Sequence, residues 1–203
     1  LGVATVWLTW VLAKQWGVGS LGWMAAVWVA CDPILCHQSV HIMTETLATF
    51  LAVIGLLVAT QMGIRRRPAW AALAGACIAL AVLCRPAFLA WLVVVALAVW
   101  MLYGSWRRSV SGVLALFAGS AVVLAPWAVR NQIVLGRPVC TTTHGGYTLL
   151  LANNPYFYQF VRQQRWGQTW DSRPFDRWWQ TSKTASLADP VSRDRRAYRV
   201  ALG

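Results

Sequence analysis

The chain has 203 residues, of which 58% are hydrophobic and only 12% charged, with a formal net charge of +12. Charged residues run at about half the globular share, too few to wet the whole surface of a soluble domain. The basic excess does not point to nucleic acid, because the basic residues sit between apolar runs and in the C-terminal tail, not on the face of a soluble domain.

Up to Ala128 the charged residues are Lys14, Asp32, Glu45, Arg65, Arg66, Arg67, Arg85, Arg107 and Arg108, whereas eleven basic and four acidic residues follow from Arg130 onward. Burial in a bilayer accounts for both halves. A helix needs about 20 apolar residues to cross one, and in chain order the apolar runs predict about six crossings. Residues 1–13 are too short and read as the remainder of a span. The next run, 18–36, is interrupted late by Asp32-Pro33. Spans follow over 44–64, 68–84, 87–103 and 110–127. The expected fold is therefore an all-α polytopic membrane protein, with a transmembrane helical domain over 1–128 and an extracytoplasmic, membrane-adjacent region over 129–203. Both are expected to be truncated, since the chain opens on Leu1 inside an apolar run with no signal peptide in view.

Orientation follows from the basic residues. Lys14, the Arg65 to Arg67 triplet and Arg107-Arg108 fall in alternate turns, so all three can be cytoplasmic together. The other turns then face outward, carrying Asp32, His37, His41, Glu45, Arg85 and Arg130. Trp16, Trp23, Trp70, Trp106 and Trp127 fall near span ends, where an indole ring suits the headgroup region. Ionisable groups at membrane depth usually mark a functional cavity; the alternative is a set of solvated loop residues. Glu45 and Arg85, each at a span end beside apolar neighbours, favour the functional reading.

After Trp127 the composition shifts to turn chemistry, with Arg137-Pro138, Gly145-Gly146 and Asn153-Asn154-Pro155. Between these turns lie β-prone stretches over 139–143 and 147–151. Beyond Tyr156 the Arg-, Trp- and Gln-rich tail fits short amphipathic helices near the membrane surface. Five cysteines form no framework, and Cys31, Cys36, His37 and His41 lack the spacing of a zinc signature, so no metal ligands are assigned.

Four patterns in order resemble one family. The first is Asp32-Pro33 followed by His41-Ile42-Met43-Thr44-Glu45, and the second is Gly75 followed by Leu83-Cys84-Arg85-Pro86. The third is Ala125-Pro126-Trp127-Ala128-Val129-Arg130-Asn131. The fourth runs Gly136-Arg137-Pro138, Thr141-Thr142-Thr143-His144-Gly145-Gly146-Tyr147 and Ala152-Asn153-Asn154-Pro155. Over residues 32–155 this resembles the GT-C superfamily of lipid-linked-sugar glycosyltransferases, in the branch of protein mannosyltransferases and the lipid A aminoarabinose transferase. The resemblance implies transfer of a sugar from a polyprenyl-phosphate carrier to a lipid, protein or glycan acceptor, at the outer face of a bacterial plasma membrane and among membrane lipids. It implies Arg85 and Arg130 at the donor phosphate. His41, Glu45, Asn131, His144, Tyr147 and Asn153 would orient substrate, Glu45 by holding an acceptor hydroxyl or one of the arginines. A divalent cation is the one cofactor the chemistry leaves open. The family's catalytic carboxylate follows its first transmembrane helix, a position expected upstream of Leu1, so this chain alone is expected to be inactive. A transporter or lipid-carrier flippase and a non-catalytic membrane scaffold are the competing readings.

Overall fold

The computed structural model describes residues 1–41, 44–163, 167–182 and 189–203. Among them are eleven α-helices and no strand: α1 (Gly2–Gln15), α2 (Gly22–Ala30), α3 (Pro33–Ser39), α4 (Thr44–Arg65), α5 (Pro68–Cys84), α6 (Leu89–Leu102), α7 (Trp106–Leu135), α8 (Gly145–Ala152), α9 (Pro155–Gln163), α10 (Arg173–Thr181) and α11 (Pro190–Leu202). Backbone contacts divide the chain into two units, Leu1–Val134 and Leu135–Gly203.

In the described residues of the first unit, α4 and α7 are long and apolar enough to cross a membrane. The bent pair Gly19–Ala30 and Pro33–Ser39 makes a third if it acts as one broken span. Its 56° bend comes from Asp32-Pro33. Proline has no N–H to continue the helix, and Asp32 Oδ1 accepts from the N–H groups of Ile34 at 2.9 Å and Leu35 at 2.8 Å. That capping starts α3 as a helix of its own. α5 and the Pro86–Leu102 stretch are apolar but shorter.

Small residues set the packing of the first unit. Ala71, Ala74, Ala79 and Val82 of α5 are wholly buried. A Cβ added at Gly75 would overlap the Leu116 carbonyl, and one at Gly119 would overlap the Ala72 carbonyl. The α5 and α7 backbones therefore touch. Ser120 Oγ closes the contact, bonding to Leu116 O at 3.0 Å and Gly75 O at 3.1 Å. Backbone approach through small residues, sealed by a hydroxyl, is how helices associate where water supplies no driving force. On the other side, Gly55 of α4 meets Ile78 of α5, and the two helices form an antiparallel hairpin. Trp16 Nε1 donates to Thr60 Oγ1 at 2.9 Å, and Gln61 bonds Gln15 at 3.2 Å. Tyr103 OH donates to Arg67 O at 3.1 Å. Lys14, Arg65 to Arg67 and the start of α7 thus share one end of the unit, with Asp32, Glu45 and Arg85 at the other.

Two expectations are corrected. The helix over the run 110–127 does not end at Trp127: α7 continues through Pro126 to Leu135, so Arg130 and Asn131 lie on a helix. The β-prone stretches are not strands either. Residues 147–151 belong to α8, which buries Leu150 (1% exposed) in the second unit's core beside Phe175, Trp179, Ala197 and Ala201. Residues 139–143 have no regular secondary structure. Gly145-Gly146 serves as a contact: a Cβ at Gly146 would overlap the Asp194 carbonyl, so only glycine lets α8 approach α11.

Gly75→Ala should destabilise the protein by about 2 kcal/mol through overpacking. Gly55→Ala, whose nearest neighbour is Ile78 Cγ1 at 3.7 Å, should be near neutral. Equilibrium unfolding in mixed micelles measures both.

Candidate functional site

The α4–α5 hairpin carries Glu45 in the first turn of α4 and Arg85 at the end of α5. Antiparallel packing brings these ends together. A carboxylate suits a helix N-terminus and a guanidinium a C-terminus, so each charge complements its own helix before it meets the other. Arg85 is extended, at φ −145° and ψ 115°, as the residue before a proline prefers, and the helix stops there. Its Nη2 donates to Glu45 Oε1 in an ion pair. The Arg85 side chain is 50% exposed and Glu45 17%, so Glu45 is the sheltered member and Arg85 the one facing outward.

A cleft of about 280 Å³ opens on the pair, lined also by Gln38, Ala48, Thr49 and Phe88. Thr49 is shared with a second, largely apolar cleft of about 250 Å³ between α1, the end of α2, α3 and α4. Gln38 and Thr49 sit beside a sequence pattern without belonging to it; only the folded hairpin brings them to the pair.

The other expected residues are distributed differently. His41 stacks on His37, with ring centroids 4.6 Å apart, and its Nδ1 lies 2.9 Å from the His37 carbonyl. Ile42 and Met43 of the same pattern lie outside the described residues. Arg130 stands over the Trp127 ring, 5.0 Å from its centroid, and donates from Nη1 to Oδ1 of buried Asn131 at 3.0 Å. The two arginines expected at one phosphate thus have separate partners, Glu45 for one and Trp127 with Asn131 for the other. Among the described residues no three His, Cys, Asp or Glu side chains gather as a metal site.

His144, Tyr147 and Asn153 belong to the second unit. Asn153 is held at both amide atoms: Nδ2 donates to the Ala201 carbonyl and Oδ1 accepts from Tyr158 OH. It ties the end of α8 to α9 and α11. His144 and Tyr147 line a cleft of about 450 Å³ with Asp176, Gln180, Arg193 and Asp194. Tyr147 OH donates to Asp176 Oδ1 at 3.1 Å, and Ser172 Oγ donates to Oδ2 at 2.8 Å. Burial, then the Asp176 carboxylate, raises the Tyr147 phenol above its ordinary range. A hydrogen bond from Ser192 holds Asp189, the N-cap of α11, below the usual carboxylate range. Asp176 and Asp194 gave no local signal in the sequence, since their partners Tyr147 and Gly146 are 29 and 48 residues away. Of the basic tail, Arg165, Trp166 and Lys183 lie outside the described residues.

Because the neutral phenol donates to Asp176, the contribution of Tyr147 to stability should be present below the free phenol value of about 10 and fade as pH rises through the higher folded value. Thermal melts in alkaline buffer should show this loss, and Tyr147→Phe should remove it. A double-mutant cycle on Arg85→Ala and Glu45→Ala should give a coupling of no more than about 1 kcal/mol, because Arg85 is half exposed.

Compared with protein-family models, with curated proteins and with solved structures, the chain matches none.

Proposed function

We propose that this chain is part of a multi-pass membrane glycosyltransferase that takes sugar from a polyprenyl-phosphate carrier and works at the outer face of a bacterial plasma membrane. The observation that carries the reading is the Arg85–Glu45 pair beside its cleft. A guanidinium has five N–H donors in a fixed fork, and Glu45 occupies one nitrogen. The remaining donors suit a phosphate oxygen, where charge-assisted and paired hydrogen bonds are strongest. Glu45 is assigned to holding Arg85. The neighbouring apolar cleft suits the first isoprene units of the carrier.

In this reading the acceptor hydroxyl attacks the anomeric carbon, a new C–O bond forms, and the bond to the phosphate oxygen breaks. The carrier phosphate leaves with the electron pair, stabilised by Arg85, and a carboxylate takes the hydroxyl proton. No residue of this chain is assigned as that base. The finer membrane arrangement is part of the proposal. α5 and α6 cross alongside α4 and α7, with Lys14, Arg65 to Arg67 and Arg107-Arg108 in the cytoplasm.

Sugar transfer by the full-length protein in membranes, from a radiolabelled polyprenyl-phosphate-sugar pool, tests the reading. Arg85→Ala should cut transfer by about 100-fold, the scale of one lost transition-state donor, with insertion intact. Arg66→Ala, at the opposite end, should leave it unchanged. No transfer from any donor by correctly inserted protein sinks the proposal, and carrier translocation in the same vesicles would then favour a flippase.

A further inference from the structure

The cleft of the second unit has a chemistry that its surroundings do not share. From Leu135 to Gly203 the chain carries ten basic and four acidic residues, yet two of those four carboxylates, Asp176 and Asp194, line this one cleft with a single arginine, Arg193. A strongly basic unit has therefore concentrated acceptors at one place. The carboxylates are fixed by the fold. Asp176 is held by Tyr147 and Ser172, and Asp194 Oδ1 accepts the Gly146 N–H at 2.7 Å. A carboxylate offers about four acceptor sites, so both keep capacity for a ligand. Among the described residues no side-chain partner engages Arg193 or Gln180, which supply donors at the same cleft. Buried Trp179, with Pro190, gives it an apolar wall.

We propose that this cleft binds a neutral saccharide. Two carboxylates disfavour an anion, and Arg193 disfavours an amine. A purely apolar ligand would strand the polar groups without partners. Adjacent sugar hydroxyls both donate and accept, matching carboxylates interleaved with a guanidinium and an amide, while the C–H face of the ring packs on the apolar wall. A volume of about 450 Å³ lies within the range of small-ligand sites. The cleft lies wholly within the second unit and does not depend on the donor site assigned to Arg85.

Saturation-transfer NMR on the full chain, in zwitterionic nanodiscs free of glycoside detergent, tests this with methyl glycosides of hexoses and pentoses. Ring protons of at least one glycoside should receive saturation. Gln180→Ala and Asp176→Asn should each weaken binding by about fivefold, the scale of one net hydrogen bond. Arg85→Ala should leave it unchanged, which separates this site from the transferase reading. Because Asp176 also supports Tyr147, the exposed Gln180 is the deciding position. Binding undiminished by Gln180→Ala, no saturation of any glycoside by folded protein, or stronger saturation of ethanolamine or methyl phosphate overturns the proposal.

Discussion

The first unit depends on one close approach, where the backbones of α5 and α7 meet without a side chain between them. Gly75 faces the Leu116 carbonyl and Gly119 faces that of Ala72. Where the surroundings are as apolar as the helices, association comes from shape and from satisfied polar groups. Ser120 supplies the second, bonding to the carbonyls of Leu116 and Gly75. With α5 fixed there, its opposite face receives α4 around Gly55 and Ile78. The meeting of Glu45 and Arg85 at the end of that hairpin is a consequence of helix lengths and a single tight turn.

That hairpin also sorts charge. The basic turns gather at one end of the unit through Trp16–Thr60, Gln15–Gln61 and Tyr103–Arg67. The mixed-charge residues gather at the other. An arginine with a carboxylate beside it behaves differently from the triplet at Arg65 to Arg67: the pair is aimed, while the triplet is a block of like charge suited to headgroups. In the second unit polar groups are spent mostly on construction. Buried Asn154 bonds to the Leu150 and Leu151 carbonyls and accepts from Phe157 N–H, joining α8 to α9.

The helices of the first unit were legible in its apolar runs, and α4 and α7 are as long and apolar as a membrane crossing requires. The break at Asp32-Pro33 was legible too, since proline and an N-cap aspartate act locally. What failed was set by distant contacts. The sequence Tyr147 to Leu151 has strand propensity, yet it lies on α8, whose Leu150 is buried in the core and whose Gly146 N–H is bonded by Asp194. Gly145-Gly146 looked like a turn, although its hydrogen atoms are what α11 packs against. The resemblance expects Asn153 to orient substrate; its amide also bonds the Ala201 carbonyl, a contact 48 residues away that no local pattern reveals. Glu45 and Arg85 were singled out by position, whereas the cleft residues Gln38 and Thr49 emerge only with the hairpin.

The length of α7 bears on the membranes this protein can inhabit. Its 30 residues rise about 45 Å, well beyond the ~30 Å of a typical hydrocarbon core. Pro126 within it donates no N–H to the turn before, leaving a weak point about two-thirds of the way along. Just beyond stand Trp127 and Arg130, ring and guanidinium together, an amphipathic pair that can float at the headgroup level. Were α7 to cross a thinner or thicker bilayer, the end that follows Pro126 would be the place to absorb the mismatch, sparing the glycine contact with α5.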